Sequence, residues 1–579
     1  MSRDVILRIT QGLDTSQPWY PKALEFVGQL SCWLQKQSSS SDVNISNIQD
    51  RFQEQLESEL EQRIFQASPV SQMPEETAQL LLSTMLEASQ RQLLNFPQIP
   101  AALILCHNHS TPRNGHWFLP GEIAELMVGL LDMPEGSSLY CPFDENITLI
   151  PKTQTGGHIV NEITGDSLLA LISHYLQSDS CEIAFSNPLT HPTQTTPGGL
   201  KHFDFSACAP QPNDRIQVSK LNDLYGRFPE QPLYGDVVYI RHLLSQTLKR
   251  TAVVVSNAML QRTKGKEREF KRWLLKNGMV KAVIKLPGRS IPGYRNTASL
   301  LLLDRQENTS DILLFDASAP YFKSSGRNGL SILKNSDAVI ESILDKKTND
   351  YCCRVPVKEI IANDTNLDVL RYLPKKTARQ TSKGSERQFA PLEELVELIR
   401  AQAIPNNAEH STNHVLEVTP VNINNAGDIE QPDKTVFFGV EHHRRVQLQR
   451  LKPGDILLAI KGNTGRSGLV PEICGDNWVA GQAFQILRLK TGAPIKDSRI
   501  LFQYLNSTAG KHYLSSIRSG TGVAFLQTQD IRRMPIPLLT SEEQNLALQS
   551  WHEIRKIHAE ISYLQEKISV QQSRLWESG

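Results

Sequence analysis

What this 579-residue chain lacks narrows its class before any motif is read. No apolar run approaches the ~18 residues that a membrane-spanning helix needs. Neither sign of charge dominates: 61 Lys and Arg stand against 61 Asp and Glu, a formal net charge of zero. That balance argues against a chain built to coat nucleic acid indiscriminately, although local basic patches stay open. Cysteine is sparse, eight residues without paired metal-type spacing, which suits free buried thiols in a reducing compartment. Cys106-His-Asn-His109 has no second ligand pair at zinc-like spacing, so no metal is expected. The start, Met1-Ser-Arg-Asp-Val, carries no signal-peptide core. The expectation is a cytoplasmic protein without a membrane partner.

What is present reads as several folded domains. Residues 1 to 110 are expected to form a helical N-terminal domain. Gln49 to Gln66 and Glu75 to Leu94 carry apolar residues at three- and four-residue spacing, and Ser38 to Asp42 is a polar break. Residues 111 to 373 alternate short apolar runs with helices, the pattern of an α/β fold on a parallel-type sheet. The strands expected there are Ser138–Cys141, His158–Val160, Glu182–Phe185, Phe203–Cys208, Thr251–Ser256, Val280–Leu286 and Ala298–Asp304. Within this stretch, residues 310 to 373 read as an appendage of helix and strand. Residues 374 to 389 are polar and basic, a linker by composition. Residues 390 to 540 have short strands and Gly/Asn turns, with a hairpin expected at Gly454–Gly465, an α+β unit. From 541 to 579 a long helix is expected, with Ser541 and Gln544 as its capping box. Trp551, Ile554, His558, Ile561, Leu564 and Ile568 would form a coiled-coil seam.

The segment Lys201-His-Phe-Asp-Phe-Ser-Ala-Cys-Ala-Pro-Gln-Pro212 has the layout of a strand followed by a catalytic loop. It resembles the loop of adenine-N6 DNA methyltransferases, where a strand runs into Asn-Pro-Pro-Phe. In such a loop an Asn carbonyl and a backbone carbonyl accept the protons of the weakly nucleophilic exocyclic amine, and an aromatic ring holds the flipped base. Here the four positions are Ala209, Pro210, Gln211 and Pro212. Ala209 has no side-chain acceptor and Pro212 is a poor stacking platform, so orientation and electronic help are both missing. Asn187-Pro188 is the rival site for a catalytic Asn. It follows the strand Glu182–Phe185 and reads equally as a strand-end turn.

Taken over residues 110 to 373, the order of motifs resembles the modification subunit of type I restriction–modification systems. His116-Trp-Phe-Leu-Pro-Gly-Glu-Ile-Ala-Glu-Leu-Met127 resembles the family's "Phe-Phe-Thr-Pro-Arg" opening, which contacts S-adenosylmethionine. Its Thr is Leu119, and Pro120 is kept. The family's Gly-rich turn, Asp-Pro-x-Cys-Gly-Ser-Gly, aligns with Cys141-Pro142-Phe143-Asp144-Glu145-Asn146-Ile147, where the leading Asp is Cys141 and Gly-Ser-Gly has become Glu145-Asn146-Ile147. Side chains therefore stand where a cofactor would pass. Glu162 alone matches the acidic residue that binds the ribose hydroxyls. The resemblance implies a Rossmann-like class I methyltransferase fold with degenerate motifs, no bound cofactor, and no catalytic residues.

Residues 390 to 575 resemble one target-recognition half of the specificity subunit of the same systems. The match runs through Lys452-Pro-Gly-Asp-Ile-Leu457, Lys461-Gly462, Gly465, Trp478-Val-Ala480 and Ser519-Gly-Thr-Gly-Val. Lys461, Asn463, Thr464 and Arg466 on one loop, and Arg518, Ser519 and Thr521 on another, carry donors suited to phosphates or base edges. The locally basic segment Arg262–Arg295, with Arg268 and Arg272 on its helix, would add a phosphate-tracking strip, or is simply a solvated helix face. The expected function is sequence-specific binding of double-stranded DNA by a catalytically inactive subunit of a restriction or anti-phage defence complex. Its expected partners are a second copy or nuclease or motor subunits. An active adenine-N6 methyltransferase using S-adenosylmethionine is the alternative, and an assembly scaffold without DNA binding is the next.

Overall fold

The computed structural model describes residues 2–37, 43–54, 56–110, 117–152, 156–177, 181–210, 216, 221, 223–230, 235–292, 298–326, 329–373, 388–406, 412–519 and 525–576. The expected Ser-rich break at 38–42 and most of the expected linker lie outside them. The chain forms two compact units, Met1–Leu373 and Pro374–Gly579.

The first unit is built on a nine-stranded sheet. Its strands are β1 (Leu139–Tyr140), β2 (Ile159–Ile163), β3 (Glu182–Phe185), β4 (Phe203–Cys208), β5 (Thr247–Ser256), β6 (Val280–Lys285), β7 (Ala298–Asp304), β8 (Asp311–Asp316) and β9 (Cys352–Pro356). Their order across the sheet is β9-β8-β6-β7-β5-β4-β1-β2-β3. Pairing is parallel from β3 to β5 and between β6 and β8. Strand β7 runs antiparallel between β5 and β6, and β9 is antiparallel to β8.

The central strands of this sheet are buried on both faces, so they are near-continuous apolar runs. Along β5, Val253 and Val255 enter one core while Ala252 and Val254 enter the other. One core also takes the apolar side chains of the N-terminal helices, from Ile6 to Ile104. The helices expected as a separate domain therefore share their core with the sheet. The other core is covered by helices Gly235–Gln246 and Gly265–Lys276. The helical stretch Gln49–Gln66 is two helices, Ile48–Gln53 and Glu59–Gln66, the second started by a capping box between Ser58 and Glu61.

Residues 310–373 are not an appendage. Strands β8 and β9 from this segment extend the main sheet. The four-residue run Ile312–Phe315 alternates between the two cores, and burial on both faces makes it a sheet strand.

The second unit holds β10 (Phe389–Pro391), β11 (Val396–Arg400), β12 (His414–Val418), β13 (Thr435–Phe437), β14 (Ile456–Ala459), β15 (Ser467–Leu469), β16 (Trp478–Ala480), β17 (Phe484–Leu489), β18 (Arg518–Ser519), β19 (Phe525–Leu526) and β20 (Pro535–Pro537). They form a four-stranded antiparallel sheet β11-β17-β14-β15, a three-stranded sheet β13-β12-β16, and the pairs β10-β20 and β18-β19. The hairpin expected after Gly454 is β14-β15, with Ile456 opposite Leu469.

The C-terminal helix runs Ser541–Trp576. Its capping box is Thr540 with Glu543 rather than Ser541 with Gln544: the Thr540 amide donates to Glu543 Oε2 at 2.9 Å and the Glu543 amide to Thr540 Oγ1 at 3.3 Å. Gln544 instead donates from Nε2 to the carbonyls of Pro494 and Leu539. Trp551 is buried edge-on against Phe502, ring centroids 5.6 Å apart. Beyond it Ile554, Ile561, Leu564 and Ile568 are exposed, so the expected seam meets no partner among the described residues.

Among the described residues no helix is long and apolar enough to cross a membrane, and no group of three or more His, Cys, Asp or Glu is placed to hold a metal ion.

Candidate functional site

Strand β1 lies between β2, which follows it in the chain, and β4, which comes later. The C-terminal ends of β1 and β4 thus flank the point where strand order reverses, the place where open parallel sheets bind ligands. The turn after β1 and the loop after β4 meet there.

They meet through Asn146. This fully buried side chain accepts from the Ala209 amide through Oδ1 at 2.8 Å. Its Nδ2 donates to the Pro142 carbonyl at 2.8 Å and lies 3.6 Å from Cys208 Sγ. Cys141, Ala209 and Pro210 are buried around it, and burial pushes the Cys141 thiol far above its ordinary pKa. Gln211 and Pro212 lie outside the described residues, as does the side chain of Glu145. Phe143 adopts φ +76°, a left-handed conformation costing a side-chain-bearing residue about 1–2 kcal/mol, where the family pattern would use small residues nearby. Its amide donates to the Glu162 carbonyl at 2.8 Å. Asp144 accepts from the amides of Thr164 (2.9 Å) and Ser167 (3.3 Å), tying the turn to the start of helix Leu168–Tyr175. A cavity of about 470 Å³ adjoins it, lined by Glu25, His107, Asp144 and Asp166 among others.

Glu162, on β2, is fully buried, and both its oxygens are engaged within the protein. Oε1 accepts from the amide (2.6 Å) and hydroxyl (2.9 Å) of Thr193. Oε2 accepts from Tyr140 Oη at 2.6 Å. A buried carboxylate needs such donors, since its desolvation costs several kcal/mol otherwise. The chain of bonds continues: Tyr140 Oη lies 2.9 Å from His242 Nε2, and His242 Nδ1 lies 3.0 Å from Arg227 Nη1. Arg227 has no acceptor, so His242 takes its proton bond at Nδ1 and carries its own hydrogen on Nε2, donating to Tyr140. Burial, reinforced by the Arg227 charge, holds the His242 pKa down at about 3. Arg227 also donates to Asp223 Oδ1 and to the carbonyls of Pro188 and Leu189.

The other expected positions are structural in their contacts. Leu119 is buried and its carbonyl accepts from Thr148 Oγ1 at 2.8 Å; Pro120 is the N-cap of helix Gly121–Leu131. Asn187 does not follow a strand adjacent to β1. It follows β3, the sheet edge, where Oδ1 accepts from the Leu189 amide at 3.0 Å in a turn.

In the second unit, the two loops expected to hold donors come together. Lys461 pairs with Phe525 in an isolated bridge, and Phe525 pairs with Ser519. Lys461 and Asn463 are exposed and Thr464 is buried. Arg466 is half-buried and donates from Nη2 to the Ile423 carbonyl, so it supports the turn rather than standing free. Thr521 and the side chains of Arg518 and Ser519 lie outside the described residues. An open groove of about 1080 Å³ runs from this turn to the C-terminal helix; Asn424, Asn463, Arg466, Lys511, Arg555 and His558 are among its lining residues.

The basic strip Arg262–Arg295 is neutralised in part, and Arg295 lies outside the described residues. Arg262 pairs with Glu267, Lys266 with Glu269 and Arg268 with Asp364. Lys281 is buried against Asp304 and Glu307. Lys271 is wholly buried, donating to the carbonyls of Leu260 and Arg262, and burial lowers its pKa to about 7. Arg272 remains exposed.

Thr193, Tyr140, His242 and Arg227 were not legible as a group. Tyr140 gave the single available signal, a polar aromatic in a strand that must be buried, which obliges its hydroxyl to find a partner.

Residues 163–381 match the family model N-6 DNA Methylase. The match starts just after Glu162 and leaves out the turn Cys141–Asn146. A comparison with curated proteins finds no match. Among solved structures, the type IIG restriction endonuclease BpuSI is similar over 96% of this chain and 74% of its own, at 10% identity and TM-score 0.50, a likeness of fold. The type I restriction-modification system methyltransferase subunit from Streptococcus thermophilus aligns over 65% of this chain and 100% of its own (13% identity, TM-score 0.49). The HsdS subunit from Thermoanaerobacter tengcongensis aligns over 44% of this chain and 62% of its own (15% identity, TM-score 0.24).

Proposed function

We propose that this chain is a sequence-specific DNA-binding, catalytically inactive methyltransferase-like subunit of a bacterial restriction or anti-phage defence complex. The observation that carries the inactivity is the internal engagement of the ligand crevice: Asn146 on Ala209, and Glu162 on Thr193 and Tyr140. These residues do not fit S-adenosylmethionine. A ribose diol needs free carboxylate lone pairs on β2, and Thr193 already holds those of Glu162 Oε1. A methionine moiety needs small residues after β1, and the Asn146 side chain fills that path. At the acceptor position Ala209 offers no side-chain carbonyl to a flipped adenine.

DNA binding is read on the second unit. The turn Lys461–Arg466 exposes Lys461 and Asn463, donors suited to a phosphate and a base edge, beside the backbone of β18-β19. The exposed face Ile554, Ile561, Leu564 and Ile568 fits a second copy of the helix, or the partner subunits that would act on bound DNA. The test is selection of duplexes from a random library in the presence of S-adenosylmethionine. The proposal expects an enriched sequence carrying no N6-methyladenine; enrichment of nothing, or of methylated duplexes, contradicts it.

The second reading, an active adenine-N6 methyltransferase, is favoured by the family match over residues 163–381. It requires the Thr193 and Asn146 bonds to open when cofactor arrives.

A further inference from the structure

In the first unit's basic segment Arg262, Lys266, Arg268 and Lys281 are paired and Lys271 is buried. The second unit also carries a cationic stretch, and its side chains form no ion pair among the described residues. Helix His443–Leu448 and the turn after it read His443-Arg444-Arg445-Val446-Gln447-Leu448-Gln449-Arg450-Leu451-Lys452. Arg444, Arg450 and Lys452 are exposed, and none of their side chains forms an ion pair among the described residues; the Lys452 backbone amide donates to Asp455 Oδ2 at 2.8 Å, and that carboxylate is paired with Arg488. Elsewhere in this unit, Lys434 pairs with Glu417, Arg488 with Asp455 and Arg499 with Asp497. Uncompensated neighbouring cations repel one another, so the patch is held together by what lies beneath it.

That support is rigid. Val446 is buried with Ile404, Val415, Val436, Phe438 and Val479. Gln449, 2% exposed, donates to the carbonyls of Gln402 and Ala480 and accepts from the Gln402 amide. Arg445 donates to the Ala403 carbonyl. Leu451 is buried, its amide bonded to the Trp478 carbonyl, which fixes Arg450 and Lys452 on either side of it. Helical spacing then sets Arg444, Gln447 and Leu448 on the face opposite Val446.

We infer that Arg444, Arg450 and Lys452 form a preorganised phosphate-contact surface for duplex DNA, distinct from the turn Lys461–Arg466. The inference rests on the reading of the second unit as DNA-binding. Lys452 precedes β14 and Lys461 follows it, so the two flank opposite ends of a four-residue strand about 13 Å long. A duplex backbone spans such a distance, which lets one surface grip phosphates while the other meets base edges.

The test is titration of the full-length protein with a labelled random-sequence duplex across a salt series. Each phosphate contact contributes about 0.9 to the slope of log K against log salt. The triple variant Arg444→Gln, Arg450→Gln, Lys452→Gln is expected to lower that slope by roughly two to three, with melting unchanged because all three side chains are exposed. Asn463→Ala, a neutral change at the turn, leaves the slope as it was. A triple variant whose slope equals that of the parent overturns the inference alone. A parent protein that binds neither this duplex nor any sequence in the selection overturns the DNA-binding reading and the inference with it.

Discussion

Asn146 accepts a hydrogen bond from the amide of Ala209 at 2.8 Å, joining the turn after the first strand to the loop after the fourth. Both ends of this bond are fully buried. Asn146→Ala therefore leaves the Ala209 amide without its acceptor, and the unsatisfied group costs about 1–3 kcal/mol. Urea unfolding measures it as a lower midpoint at unchanged slope. Unaltered stability would mean the bond contributes nothing.

Among the described residues two buried histidines make stability depend on pH. Burial holds His174 at about 3, and burial with the Arg227 charge holds His242 at about 3. In the unfolded chain both titrate near ~6.5. Below that value the unfolded state binds protons that the folded state refuses. Stability is thus fully present above pH ~6.5 and falls as pH drops toward ~3, by up to about 1.4 kcal/mol per unit for each histidine. Urea midpoints between pH 7 and 5, above the ordinary carboxylate range, should decline in the parent protein. They should decline about half as steeply in His174→Gln.

Asn463 and Lys461 are predicted to divide the labour of the exposed turn. Asn463→Ala should relax base preference at one position by about 1–3 kcal/mol, as loss of a base-edge contact does. Lys461→Gln should weaken all duplexes alike. Competition binding against single-base variants of a selected site separates the two; a uniform effect of Asn463→Ala would assign it to the backbone.

Ile561 and Leu564 stand on the outer half of the C-terminal helix, 44% and 49% exposed. If this face pairs with a second copy, Ile561→Asp with Leu564→Asp turns a sedimenting dimer into a monomer without lowering the melting temperature of the first unit. Identical sedimentation of parent and variant would remove the helix from self-association.

Much of the sheet was legible because its central strands are buried on both faces: Ala298–Asp304 carries a run of four Leu, and Phe203–Cys208 is mostly apolar, both with the bounds observed. In sequence the segment 310–373 reads as an appendage of helix and strand because an apolar run such as Ile312–Phe315 declares a strand but not the neighbour it pairs with. The capping box shifted by one residue since Thr540/Glu543 and Ser541/Gln544 both satisfy the same spacing, and the backbone decides between them. Lys271 read as part of a basic face, although it lies beside Phe270 and Leu274 on the buried one. At the crevice, the altered turn was visible in sequence, but what replaced the ligand was not. Thr193 and Glu162 are 31 residues apart, and only the fold brings a turn hydroxyl onto a carboxylate.

The central claim is that this crevice no longer takes S-adenosylmethionine. Titration of the purified, folded chain with S-adenosylmethionine in a calorimeter tests it directly. The account predicts no saturable heat, for the parent and for Asn146→Ala alike, because Thr193 still holds Glu162. Saturable one-to-one binding by the parent would contradict it and make the active-methyltransferase reading the leading one.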